Sequence, residues 1–368
     1  MESYDKYTPK LGGVKMFKNL RKAMTVALTA AVGLTTAIAP ATMALAQDGE
    51  TVLIYSNSLS DERNPWIEER ASEAGFDVQF VEGGSGDILN RMLAEKDAAQ
   101  ADVVFGMDEG SFMQLVDEDL LVTHVPAWSG EIPAEAQIGD DYYYPLVEQR
   151  IFLYFNPEHI SAEEAPANWE DLANNEAFAQ QYRVPHELGG GTNQKSVLSI
   201  LLQHQDPEGE MGISDEGWAN VEAYLANGYL PAENEDTQQL FADGTMPINF
   251  YFSSGIPSVE EEYGFKVEPI DPEYGVITMR EQIGVVNKGE DQDYEAAKAF
   301  VDWFGSAEVQ GEWAETFGSI PVNQGAAEQM LPRVAELVEA TTPMEVDWNF
   351  VRENIAGWLE KIELELWP

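Results

Sequence analysis

An α/β fold built on mainly parallel sheets flanked by helices is what the sequence predicts, and three patterns predict it. β-Branched runs alternate with helical stretches from Thr51 onward. Several strand ends run into glycine-rich or small polar loops that open helices, as at 83–86 and 189–191. The alternation then resumes after a long aromatic segment that begins near Tyr142. Apolar residues make up 44% of the 368, with nine Trp, enough for a substantial core in each of two domains.

The first 46 residues stand apart. Lys15, Lys18, Arg21 and Lys22 precede an uncharged run, Ala23 to Ala39, and Ala44-Leu45-Ala46 follows Pro40 as a small-residue cleavage site. That order describes a secretory signal peptide, with Met16 a plausible start. A retained membrane anchor is the competing reading, but an Ala/Thr-rich run ending at a proline is at the lower limit for a spanning helix. Cysteine is absent, which excludes disulfides, thiol catalysis, Cys-ligated zinc and a lipid-bearing cysteine after the signal. The expected location is therefore the periplasm or the outer side of the cell envelope, free or held by the signal itself.

Taken in order, Thr51–Ser56 reads as a buried first strand, Asn64–Ala74 as a helix stopped at Gly75, and Phe76–Val81 as a second strand. The break Gly83–Asp87 opens a helix over Ile88–Ala98; Asp102–Gly106 is a third strand, Glu109–Glu118 a helix, and Leu120–Val122 closes the unit. Glu148–Asn156 is long and extended. The second unit has a helix at Trp169–Asn174, a strand at Tyr182–Pro185 and helices at Asn193–His204, Asp215–Asn227 and Thr237–Ala242. A strand at Met246–Phe252 leads into Ser253-Ser254-Gly255, and strands follow at Phe265–Pro269 and Ile283–Val286. Helices at Tyr294–Phe304, Ala307–Phe317, Ala326–Ala340 and Trp348–Leu366 finish the chain. Ligands of such sheets sit beyond the carboxyl ends of the strands.

The order of these segments resembles the type 2 periplasmic binding proteins of ABC importers, in the cluster serving iron(III), thiamine, phosphonates and polyamines. The resemblance is carried by VLIYSNS, QFVEGGSGDILNRMLAEK, QADVVFGMDE and YYYPLVEQRIFLYFN, then by LGGGTNQKSVLSILL, INFYFSSG and AAKAFVDWFGSAEVQGEWAETFGSIPVN. It runs from about Thr51 to the C-terminus. It implies two lobes joined by two hinge strands: 47–148 as the first part of lobe 1, 149–276 as lobe 2, and 277–368 as the return to lobe 1 with the C-terminal helices. It also implies a monomer that binds a small-molecule solute between the lobes and delivers it to membrane permease subunits, with no cofactor and no nucleic-acid partner.

Within that frame the candidate ligand residues are Ser56, Asn57, Gly84, Ser85, Asp108, Thr192, Asn193, Tyr251, Ser253, Ser254 and Glu281. Gly84, Ser85 and the 189–194 loop place amides at helix N-termini, where an anion is favoured; plain turns with Ser85 or Asp87 as cap are the bland alternative. Ser253-Ser254-Gly255 is a third such cradle. Tyr251 is followed by Phe252, so the adjacent tyrosines of ferric-binding members are missing, which disfavours direct ferric coordination. Tyr142–Tyr144 read as packing or hinge-lining residues. The four histidines show no ligand spacing. Arg150 and Arg280 could fork onto an anion, although pairing with an abundant acid is the better expectation. The Trp residues within helices read as core.

Charge sharpens the class. Residues 1–46 hold six of the 20 basic and two of the 66 acidic residues, leaving 14 against 64. Such a surface repels nucleic acid and anionic membranes, and its even spread reads as a solvated shell suited to high salt. No nucleophile elbow, metal-binding His motif or thiol is present, so an enzyme is not expected. The expected function is capture of a small anion, phosphonate- or phosphate-like. The alternatives are ferric ion, thiamine or a polyamine as ligand, with Asp108 or Glu281 facing a cation, or a secreted ligand sensor.

Overall fold

The computed structural model describes residues 51–189, 191–232 and 234–367; the signal-peptide reading lies outside them. In chain order the first lobe contains β1 (Thr51–Ser56), α1 (Arg63–Glu73), β2 (Asp77–Glu82), α2 (Ser85–Ala94), β3 (Val103–Phe105), α3 (Glu109–Asp117) and β4 (Leu121–Val122). Strand β5 (Tyr143–Phe155) leads to α4 (Trp169–Asn174), α5 (Gly191–Leu201), β6 (Gln205–Glu210), α6 (Asp215–Asn227), α7 (Thr237–Ala242), β7 (Ile248–Phe252), α8 (Ile256–Tyr263) and β8 (Glu268–Pro269). Strand β9 (Thr278–Val286) precedes α9 (Glu295–Phe304), α10 (Ala307–Phe317), β10 (Ile320–Pro321), α11 (Pro332–Glu339) and α12 (Trp348–Lys361).

The sheet of the first lobe runs β10-β5-β9-β3-β1-β2, with β4 also against β9. Its inner strands β1 and β3 are largely buried on both faces, as their apolar runs require, while the edge strand β2 alternates exposed and half-buried residues. Val52, Ile54, Val103 and Phe105 face a core shared with α1, α9 and α10. Tyr55 and Val104 face a second core with α2 and α3. The second lobe repeats the plan around β5 and β7. Ile151, Leu153, Ile248 and Phe250 pack with α4, α5, α6 and α12, while Phe152 and Tyr154 pack with α7, α8 and α11.

Two strands join the lobes. The first half of β5 pairs with β9 from Tyr143↔Gly284 to Arg150↔Thr278. Its second half pairs with β7 from Ile151↔Phe252 to Phe155↔Ile248. One strand of about 43 Å (13 residues at roughly 3.3 Å each) therefore serves both sheets. Tyr143 and Tyr144 lie buried in it, as the packing reading required.

Several local expectations need correction. Only β1·β2 and β1·β3 are parallel in the first sheet, because the hinge strands enter it antiparallel, so the sheet is mixed. Helix α2 begins at Ser85, not Ile88, since Gly84 already has cap geometry; neither Ser85 nor Asp87 caps it by side chain. The expected strand at Tyr182–Pro185 is reduced to single bridges at Tyr182 and Arg183. The expected helix Ala326–Ala340 is broken: 324–329 is a 3-10 turn, and α11 restarts with Pro332 at its first position, where the missing N–H costs nothing.

Candidate ligand-binding site

The carboxyl ends of β1, β2 and β3 converge on one wall of the first lobe. Gly83 N–H donates to the Ser56 carbonyl at 3.4 Å, and the Ser56 hydroxyl accepts from Ser58 N–H at 2.9 Å. Gly106, at φ +100°, is the pivot. A Cβ there would lie 2.6 Å from Ser58 Oγ and 2.7 Å from Asn57 Oδ1, so only glycine lets the β1 and β3 ends meet. Asn57 Oδ1 is buried with no partner. Ser85 and Gly84 flank this wall at the start of α2, half-buried and exposed respectively.

A hydrogen-bonded chain crosses from this wall to the second lobe. Ser58 Oγ donates to Glu281 Oε2 at 2.6 Å, and Gln149 Nε2 donates to Glu281 Oε1 at 3.5 Å. Gln149 Oε1 then accepts from Ser253 Oγ at 3.0 Å and from Ser254 N–H at 3.3 Å. The structure thus brings Ser56, Glu281, Ser253 and Ser254 into one connected set, with Asn57 beside it but outside its hydrogen bonds. Gln149 was missed, yet it is legible as a polar residue in an otherwise aromatic and aliphatic strand.

A second bridge is ionic. Asp108 caps α3, its Oδ1 accepting from Ser111 N–H at 3.1 Å and Ser111 Oγ at 2.9 Å. Its Oδ2 accepts from Lys195 Nζ of α5 at 3.2 Å. Burial would raise the Asp108 carboxyl, but Lys195 and the Ser111 donors outweigh it and hold it below the usual carboxylate value. Lys195 is fully buried, with Trp348 of α12 5.4 Å from its ammonium. Its signal in the sequence was a lone cation in the apolar helix KSVLSILL of a chain poor in bases. Next to Asp108, Glu109 is 1% exposed and its Oε2 has no partner.

The remaining predicted residues stay within the second lobe, and two of them, Asn193 and Tyr251, lie near Arg183, which the sequence did not single out. Asn193 Oδ1 accepts from Arg183 Nη2 at 3.1 Å, and Asn193 Nδ2 donates to the Glu187 carbonyl at 3.0 Å. The guanidinium lies 4.1 Å above the Phe250 ring. Its Nε is buried without a partner, and no carboxylate among the described residues pairs with it. Burial lowers its pKa, opposed only by the phenols of Tyr154, Tyr224 and Tyr251. Tyr154 is itself fully buried with an unpartnered hydroxyl. Tyr251 lies tilted against Phe252, ring centroids 4.2 Å apart, and burial pushes its phenol up, against the pull of Arg183. Thr192 is half-buried in the first turn of α5.

Arg150 and Arg280 both go to acids. Glu148 lies 3.3 Å from Arg150 Nε and 3.4 Å from Arg280 Nε. Arg150 also binds the Val338 and Thr341 carbonyls at 2.9 and 2.6 Å, tying the hinge to the end of α11. A separate groove of about 380 Å³ opens on the second lobe between Gln203, Tyr274 and Met344, but its lining holds two acids and no base. It does not meet the converging strand ends.

These features, lobes joined by two strands with polar side chains converging between them, match known proteins. The profile of bacterial extracellular solute-binding proteins matches residues 66–342. The chain belongs to that family. A probable ABC transporter periplasmic-binding protein of Sinorhizobium fredii is 30% identical, over 95% of this chain and 94% of its own. A Salmonella typhimurium protein provisionally named for periplasmic 2-aminoethylphosphonate binding is 24% identical, over 83% of this chain and 89% of its own. Among solved structures, the apo ferric ion-binding protein A of Pasteurella haemolytica superposes with TM-score 0.70 at 16% identity, covering 86% of this chain and 97% of that one. The solute-binding protein is the periplasmic capture subunit of an ABC importer, working with membrane permease subunits on a small-molecule solute, and it is not an enzyme. No described helix is long and apolar enough to cross a membrane.

Proposed function

We propose that the solute carries an anionic phosphonate- or phosphate-like group, received by the second lobe. The observation that carries this reading is Arg183. In a chain with more than three acids for every base, a partly buried guanidinium with an unpartnered Nε and no carboxylate is an open seat for an anion. Asn193 and the phenols of Tyr251 and Tyr154 lie around it, and Asn193 belongs to the first turn of α5, where the helix dipole favours an anion. Lys195 is a second cation on the same lobe, neutralised by Asp108 until an anion takes that place. The protein acts as a monomer whose lobes close about β5 and β9. The 2-aminoethylphosphonate named for one relative belongs to this ligand class.

A thermal-shift screen of the mature protein tests the class. Phosphonates and sugar phosphates are expected to raise the melting temperature. A rise with only ferric ion, thiamine or spermidine would refute the anion reading.

A further inference from the structure

We infer that Glu109 is a specificity-determining residue that selects, among anionic solutes, those that also carry an ammonium group. This rests on the anion reading above and deepens it to a zwitterionic solute. The argument begins with what the other carboxylates of the site are doing. Asp108 is held by Lys195 and Ser111, Glu281 by Ser58 and Gln149, and Glu148 by Arg150 and Arg280. Glu109 alone among these four has an oxygen without any partner, and it is the most deeply buried. Unpaired acceptors cluster on the same wall. Asn57 Oδ1 and Gln282 Oε1 are also buried and unsatisfied, and Gln282 is joined to the β3 end through its N–H to the Met107 carbonyl at 3.0 Å.

Locally the two sides offer complementary chemistry. The wall around Glu109 presents the unpaired acceptors Glu109 Oε2, Asn57 Oδ1 and Gln282 Oε1, and Arg183 of the second lobe presents a buried Nε without an acceptor, although Gln238 Oε1 of the second lobe and Arg280 Nε of the hinge strand also lack hydrogen-bond partners. A small molecule with an ammonium at one end and a phosphonate at the other satisfies both sets.

The groups facing Glu109 set how it responds to charge. Burial, its largest influence, and the neighbouring Asp108 push its pKa up, while its own N–H, Arg280 and Lys195 pull it down; the balance puts it at about 7. Tyr143 of β5 also faces it, and Arg352 of α12 faces that phenol. An arriving ammonium stabilises the carboxylate, so Glu109 gives up its proton when the solute binds at mildly acid pH.

Calorimetric titration at pH 6, in two buffers of different ionisation enthalpy, tests this with 2-aminoethylphosphonate and ethylphosphonate. Wild type is expected to prefer the amino compound by about tenfold or more. Glu109→Gln is expected to lose that preference and to release about one proton fewer with the amino compound, while ethylphosphonate affinity stays within twofold or so. Retained preference or unchanged proton release in the variant would overturn the assignment. Equal affinity of wild type for both compounds would overturn it without any variant, leaving the anion reading intact. Binding of neither compound by wild type would instead remove the anion reading beneath it.

Discussion

The two lobes are alike in plan and differ in how they treat their buried charges. Each is a sheet whose central strands are buried, and each has strands ending in loops that start helices. Two nearly buried glutamates show the difference. Glu260 of the second lobe accepts from Arg333 Nη2 at 2.8 Å, Lys266 Nζ at 2.8 Å and Val267 N–H at 3.0 Å. Glu109 of the first lobe has none of these partners for its Oε2. A satisfied buried charge is structure; an unsatisfied one at the converging strand ends is reserved for something that arrives. Arg183 makes the same argument with the sign reversed.

The largest expected effect comes from removing the open cation. Arg183→Met should weaken phosphonate binding on the order of a hundredfold, the usual scale for deleting one side of a buried charge pair, while the melting temperature of the unliganded protein changes little or rises. A variant that binds as wild type does would break the contrast between the lobes. Lys195→Met should cost less ligand affinity, about tenfold, because Asp108 competes for this ammonium. It should also destabilise the free protein, since Asp108 loses its counter-charge in a partly buried place. Denaturation with and without ligand separates the two effects.

Asp108→Asn sharpens the comparison from the other lobe. Asparagine keeps the cap on α3 but frees Lys195, so anion affinity should rise a few-fold in titration. A fall would mean that Asp108 touches the solute itself.

The glutamates predict opposite pH dependences. The Glu109 pKa is raised from 4.5 to about 7, so the native state holds its proton more tightly than the unfolded chain. The resulting cost to stability is absent below about pH 4.5, grows as pH rises and is complete above 7, on the order of 3 kcal/mol. Glu109→Gln should therefore be stabilising at pH 8 and near neutral at pH 4.5 in chemical denaturation. Glu260 is also subject to burial, which would raise it, but Arg333, Lys266 and the Val267 N–H hold it below its usual value. Its contribution is present above the unfolded value and lost as pH falls through the lower native one, so Glu260→Gln should destabilise at pH 7 and hardly at all in strong acid. The same pH profile for both variants would remove the distinction.

Much of the fold was legible because buried strands announce themselves in β-branched runs, and strand-end glycines punctuate them. The mixed direction of the sheet was not, since nothing local in TMREQIGVV says which neighbour it pairs with. Ser56, Asn57, Asp108 and Glu281, singled out as candidates at strand ends, all lie along the first-lobe wall, because backbone turns there dictate residue type. Arg183, Lys195, Gln149 and Glu109 were missed for a common reason. Each takes its meaning from what it lacks or meets across a distance in sequence, as Lys195 meets Asp108 from 87 residues away. Tyr251 was singled out for the missing tyrosine beside it, whereas its structural neighbour of consequence is Arg183.

The most direct measurement is titration of ethylphosphonate into wild type and Arg183→Met at neutral pH. The prediction is saturable binding to wild type, weakened on the order of a hundredfold by the substitution with folding intact. Equal binding to both proteins would contradict the assignment of the anion to the second lobe.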